Sequence, residues 1–240
     1  MPYLLLGIFF CLTTASLIAS VAGFNPVALR TGSLRFLVFL LSSFFFQGTT
    51  LLLVFIFLRD SQVSWTEAFG FRNRNLRRCV LLALGALVGF LPVAWTLSHV
   101  TGLLIEKSGQ KPVVQQAVQL IQEHPPLYET LCMGISTILL APVVEEILFR
   151  GILYPTLKQM QFPRFALYGT SLLFAAIHSN LLTFLPLFIL AIILTLLYEA
   201  TDNLLAPIAL HSFFNAANFG LLLGQNHFEQ WWKAFLHLFK

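Results

Sequence analysis

Residues 141–151, APVVEEILFRG, set two carboxylates and a guanidinium in an otherwise apolar stretch. Glu146 and Arg150 are four residues apart, acid before base, which on a helix puts them on one face as an ion pair. Glu145 points about 100° around the helix from its neighbour, and Arg150 is a poorer reach five residues on. Glu145 is therefore the carboxylate left over for chemistry. Further along, His178 follows Phe174 by four residues in SLLFAAIHSN, so ring and imidazole share a face. His211 and Asn215, also four apart, share a face in APIALHSFFNAANFG.

A glutamate with two histidines is a zinc-like ligand set, since catalytic zinc takes three protein ligands and a water. Glu145, His178 and His211 would be those ligands if a metal is used. The same groups also suit a metal-independent mechanism. Glutamate would act as general base toward water, with histidine and asparagine steadying the oxyanion of a tetrahedral intermediate. Either way the chemistry is attack of activated water on a carbonyl, the hydrolysis of a peptide bond.

The elements that must position these groups are membrane helices. The chain has 240 residues, of which 58% are hydrophobic and only 10% charged, and its mean hydropathy is +0.82. Soluble domains carry roughly 25% charged residues, so this composition cannot coat a globule in water. The excess of basic residues, net charge +4, orients loops against a membrane and gives no ground for a nucleic-acid partner. Cys11, Cys79 and Cys132 lie in apolar stretches with no C-x-x-C pair, which excludes a disulfide framework or a thiolate metal site.

A bilayer core of about 30 Å needs roughly 20 apolar residues per helix. The sequence predicts an all-α, polytopic membrane bundle in one unit spanning residues 1–240, with seven spans and a functional core over 127–223. The spans are 3–23, 34–58, 79–104, 127–157, 164–182, 184–200 and 204–223. The first is read as retained rather than cleaved, because no Lys or Arg precedes its apolar run. PVVQQAVQLIQ within the polar stretch 106–128 reads as a surface helix ended by Pro125-Pro126. The tail NHFEQWWKAFLHLFK reads as an amphipathic helix lying in the interface. With the N-terminus in the cytoplasm, the arginine-rich 59–78 loop falls inside, as the positive-inside rule favours. Glu145, His178 and His211 then lie at depths that allow them to meet between the midplane and the inner leaflet.

E-E-x-x-x-R, F-x-x-x-H and H-x-x-x-N, in that order on successive helices, resemble the CPBP family of intramembrane proteases. That family takes in the type II CAAX prenyl endopeptidases and bacteriocin-processing or immunity-associated proteins. The motifs here are Glu145-Glu146-Ile147-Leu148-Phe149-Arg150, Phe174-Ala175-Ala176-Ile177-His178 and His211-Ser212-Phe213-Phe214-Asn215. The resemblance covers about residues 130–220. It implies a site in a cavity opening toward the cytoplasm, in an inner-membrane protein that cuts a peptide or protein substrate, prenylated or not. Glu145 would activate water, His178, His211 and Asn215 would complete the site, and Glu146 with Arg150 would support it. The family has been described both as metallo- and as glutamate protease, so the resemblance leaves zinc open. Two other readings stand beside it: a non-catalytic membrane immunity or scaffold protein of the same fold, and a proton- or ion-coupled transporter. The transporter would use intramembrane Glu and His as a relay, but it predicts paired repeats and broken helices that the sequence lacks.

Overall fold

A computed structural model describes residues 32–71 and 75–237, and among them every regular element is helical. In chain order these are α1 (Gly32–Asp60), the short α2 (Trp65–Ala68), α3 (Leu76–Lys107), α4 (Gln116–Gln122), α5 (Leu127–Gln159), α6 (Pro163–Ile177), α7 (Leu181–Thr201) and α8 (Leu205–His237). Five of them are long and apolar enough to cross a membrane: α1, α3, α5, α7 and the Leu205–Gln225 part of α8. The expected first span, 3–23, lies outside the described residues.

Two expectations need correction. The expected span 164–182 is a helix of only 15 residues, α6. It ends at His178 because Ser179 adopts a left-handed φ of 48° and Asn180 starts the next helix. The Asn180 side chain accepts a hydrogen bond from Thr183 N at 3.1 Å, satisfying an amide that α7 itself cannot. The tail, expected as a separate interfacial helix, instead continues α8 without a break to His237. Gly224 costs a helix only about 1 kcal/mol, and no proline follows it, so nothing stops propagation.

The helices pack as a bundle in which α8 lies along α3, and α6 and α7 form an antiparallel hairpin with α7 also against α3. One end carries the arginine-rich linker. There Leu204 N donates to Phe69 O at 3.1 Å, and Lys158 pairs with Glu199 at 2.6 Å. Gly70, at a φ of 71°, passes so close to Asp202 that a side chain would not fit. The opposite end carries residues 108–127, where Asn180 Nδ2 donates to Val113 O at 2.8 Å and Arg35 pairs with Glu123 at 2.5 Å. The surface helix read at PVVQQAVQLIQ is α4. It is more than a surface element: Leu120 and Ile121 are buried against α1 and Met133 of α5.

Candidate active site

Helix α5 carries the paired glutamates, and its winding changes around them. An α-helical turn, Ala141–Glu146, stands between two π-helical segments, Ser136–Leu140 and Ile147–Leu153. π-Bulges rarely occur without a functional reason. The first holds Thr137, whose carbonyl accepts from Asn215 Nδ2 at 2.9 Å. The second carries Arg150.

Beneath the site lies a guanidinium with a partner at each of its three nitrogens. Arg150 is 1% exposed and Glu146 0%, and Arg150 Nη1 donates to Glu146 Oε1 at 2.9 Å. Arg150 Nη2 donates to Ala191 O at 2.8 Å and Nε to Thr195 Oγ1 at 3.3 Å. The Phe174 ring covers the guanidinium with its centroid 4.9 Å from Cζ, a cation–π contact strengthened by the absence of water. The same ring stands 4.9 Å from the His178 ring and 5.7 Å from the His211 ring, centroid to centroid. Phe174, on the predicted face with His178, thus spaces the cation from both imidazoles.

The two imidazoles are held in defined tautomers. His211 Nδ1 is 2.8 Å from Glu146 Oε1, an oxygen that already accepts from Arg150, so Nδ1 carries the proton. His178 Nδ1 is 2.7 Å from the Phe174 carbonyl, which can only accept. Each ring, when neutral, therefore presents a bare Nε2. These atoms face Glu145, His178 Nε2 at 4.0 Å and His211 Nε2 at 3.9 Å from Oε2. That carboxylate oxygen is buried and has no hydrogen-bond partner among the described residues.

Glu145, His178, His211 and Asn215 all line one cavity of about 340 Å³. The four sequence-predicted groups are therefore brought together. The cavity runs from Glu145 past Thr137 and Asn218 to the underside of α4, toward the end that holds residues 108–127. None of its lining residues comes from the arginine-rich end, where Phe69 packs directly on Gly151.

The donor set matches zinc in chemistry: one orphaned buried carboxylate oxygen and two Nε2 atoms whose rings donate Nδ1–H to a carboxylate or a carbonyl. Such second contacts are habitual for metal-bound histidine. The spacing is looser. Two ligands on a tetrahedral ion at about 2.1 Å stand about 3.4 Å apart, against 3.9 and 4.0 Å here. Among the described residues no three His, Cys, Asp or Glu side chains stand at ion-holding distances as they are. The two separations from Glu145 exceed that spacing by about half an ångström.

Comparison with known proteins bears on the same segment. Residues 127–217 match the family model described as type II CAAX prenyl endopeptidase Rce1-like. The similarity is confined to this segment. The segment holds every motif residue from Glu145 to Asn215, and the apolar helices in and around it are those of an integral membrane protein. An uncharacterized 24.3 kDa protein of Escherichia coli is 38% identical over 95 residues, which span 38% of this chain and 43% of that one. The chain thus covers less than half the length of that curated relative. No solved structure matches.

Sequence reasoning missed Thr195 and Asn180. Thr195 is fully buried and shares a face with Ala191, to whose carbonyl it donates at 2.9 Å. A lone threonine amid LAIILTLL was the available signal. The contact from His211 to Glu146 was missed as well, because Glu146 had been given to Arg150 alone.

Proposed function

We propose that the protein is an intramembrane endopeptidase, of the inner membrane in a bacterial cell, that hydrolyses a peptide bond with water activated by Glu145. The observation that carries this reading is the orphaned Glu145 Oε2, facing two bare Nε2 atoms inside a cavity. A water between them would donate one hydrogen to Glu145 and meet the lone pair of an imidazole with the other. Glu145 takes the proton, the hydroxide adds to the scissile carbonyl carbon, and the carbonyl π electrons move onto oxygen. One Nδ2 hydrogen of Asn215 is committed to Thr137 O, and the second is left for that oxyanion. Collapse breaks the C–N bond, and Glu145 returns its proton to the leaving amine. Glu146 and Arg150 never touch the substrate in this scheme; they fix His211 and its tautomer.

If zinc is used, Glu145 Oε2 and the two Nε2 atoms would hold it, and it would supply Lewis acidity toward the carbonyl and acidify water. With Nε2 unprotonated, the histidines themselves cannot donate to an oxyanion, so their role is to accept or to ligate. Substrates would be membrane-associated peptides or proteins, with or without a prenyl group. The N-terminus is proposed on the cytoplasmic side from the arginines of the 59–78 loop, which turns the cavity, running toward residues 108–127, away from the cytoplasm rather than toward it as the resemblance implies.

The test is a peptidase assay of the purified full chain in nanodiscs against a membrane-peptide library. Wild type is compared with Glu145→Gln, each with and without a chelator. Cleavage lost with Glu145→Gln supports the reading, and chelator sensitivity decides the metal. Cleavage that persists in Glu145→Gln refutes it.

A further inference from the structure

Thirteen of the residues around the cavity lie outside the matched stretch, ten of them on α1, α3 and the 115–121 segment. Their polar members behave in a way the bilayer does not favour. A hydroxyl in a membrane helix ordinarily bonds back to its own backbone one turn earlier. Two neighbours do so: Ser42 Oγ donates to Phe39 O at 3.0 Å, and Thr96 Oγ1 to Pro92 O at 2.8 Å. Neither lines the cavity. Ser43 and Ser98, which do line it, make no side-chain hydrogen bond among the described residues.

Gln47 completes this wall one turn after Ser43. It is 8% exposed, and its Nε2 donates to Ser136 Oγ at 3.3 Å, at the start of the π segment that Asn215 braces. That bond fixes the amide, while its Oε1 takes part in no hydrogen bond among the described residues. A carbonyl and two hydroxyls thus remain unpartnered toward a cavity that also holds Glu145. Lone polar groups at membrane depth are costly, and here they gather on one cavity wall. Among the described residues no Lys, Arg or Asp lines the cavity, and its ionisable groups are Glu145, His178 and His211.

We infer that Ser43, Gln47 and Ser98 form a backbone-reading subsite that holds an extended peptide segment with uncharged side chains, setting the specificity of the proposed hydrolysis. A peptide backbone carries a donor and an acceptor at every residue. An acceptor at Gln47 Oε1 and hydroxyls that both donate and accept meet those groups without regard to sequence. The apolar remainder, such as Leu187, Phe214 and Ile121, takes small apolar side chains. A volume of about 340 Å³ is at the small end of ligand pockets, which run from about 300 to 1,000 Å³. It has room for a few residues of extended chain. An acidic side chain would enter without a counter-charge, and so would a basic one once Glu145 is replaced by Gln, and each would be penalised for it.

The inference rests on the protease reading for its meaning, but its test does not need turnover. The full chain carrying Glu145→Gln, in nanodiscs, is titrated with an end-capped fluorescent hexapeptide of Ala, Val, Leu and Ser, read by anisotropy. Two further peptides carry Lys or Glu at the centre. The neutral peptide is expected to bind at least tenfold more tightly than either charged one. Gln47→Leu, and separately Ser43→Ala with Ser98→Ala, should weaken it about tenfold. The serine pair removes no side-chain hydrogen bond among the described residues, so the fold is expected to survive it. Equal affinity for the three peptides, no binding of the neutral one, or unchanged affinity in the serine pair overturns the subsite. If the neutral peptide binds as expected while wild type cuts nothing, the subsite stands and the hydrolase reading falls. If wild type cuts peptides with a KM unmoved by the serine pair, the reverse holds.

Discussion

His211 Nδ1 lies 2.8 Å from Glu146 Oε1, the oxygen that also accepts from Arg150. One buried carboxylate oxygen therefore fixes both a histidine tautomer and a buried cation. Glu146 is the joint between the ion pair and the site, and removing its charge should damage both. Glu146→Ala strands Arg150 without its counter-charge, a loss of about 3–5 kcal/mol for a buried pair. Arg150→Ala should do the same from the other side. Glu146→Gln keeps the shape and one acceptor, so more folded protein should survive, with turnover down about 10–100-fold as for lost support of a working histidine. Monodisperse yield, thermal unfolding and kcat/KM check the three variants, and an Arg150→Ala protein that stays folded and fully active would defeat the pairing.

Glu145→Gln should behave in the opposite way. Glu145 lines the cavity and its Oε2 makes no hydrogen bond among the described residues, so replacing the carboxylate with an amide breaks no internal bond at that oxygen. Unfolding temperature should stay level or rise, while hydrolysis falls by at least about 10²–10⁴-fold, the usual worth of a general base. A fall in unfolding temperature matching that of Glu146→Ala would mean that both glutamates are structural.

How much of this could be read from the sequence depended on range. The Glu146–Arg150 pair was legible because four residues along one helix fix it locally. So were five of the apolar spans, and the faces shared by Phe174 with His178 and by His211 with Asn215. The joint between His211 and Glu146 spans 65 positions and depends on how α8 is set against α5, which no local pattern encodes. The π segments were equally hidden, since hydrophobic spacing does not distinguish a widened turn from an ordinary one. The early end of α6 was misjudged because hydropathy runs on through Leu181 and Leu182, while the backbone turns at Ser179 and Asn180.

Gly151 should not tolerate a side chain. A Cβ there would stand 2.7 Å from Phe69 Cε1 and 3.1 Å from Leu204 Cδ1, on the helix that carries Arg150 one residue earlier. Gly151→Ala should cost about 1–3 kcal/mol by overpacking, outweighing alanine's helical advantage of about 1 kcal/mol. Phe69→Leu in the same protein should recover part of that loss. A double-mutant cycle of unfolding free energies that shows no coupling would rule out this contact as the cause.

Thr195 should matter through Arg150. Its Oγ1 accepts from Arg150 Nε at 3.3 Å and donates to Ala191 O at 2.9 Å, and the same carbonyl receives Arg150 Nη2 at 2.8 Å. Thr195→Val keeps shape and β-branching but leaves one guanidinium N–H unmet in a dry interior, which costs about 1.5–3 kcal/mol for a bond to a charged group. Thr195→Ser retains the hydroxyl and loses one methyl, so it should cost about 1 kcal/mol and keep activity. Since Arg150 and His211 share Glu146 Oε1, a guanidinium shifted by Thr195→Val should also move His211, lowering kcat more than it raises KM. Parallel unfolding and steady-state measurements on the two variants decide this: equal behaviour of valine and serine would show that the hydroxyl, and with it the bond to Arg150, carries no weight.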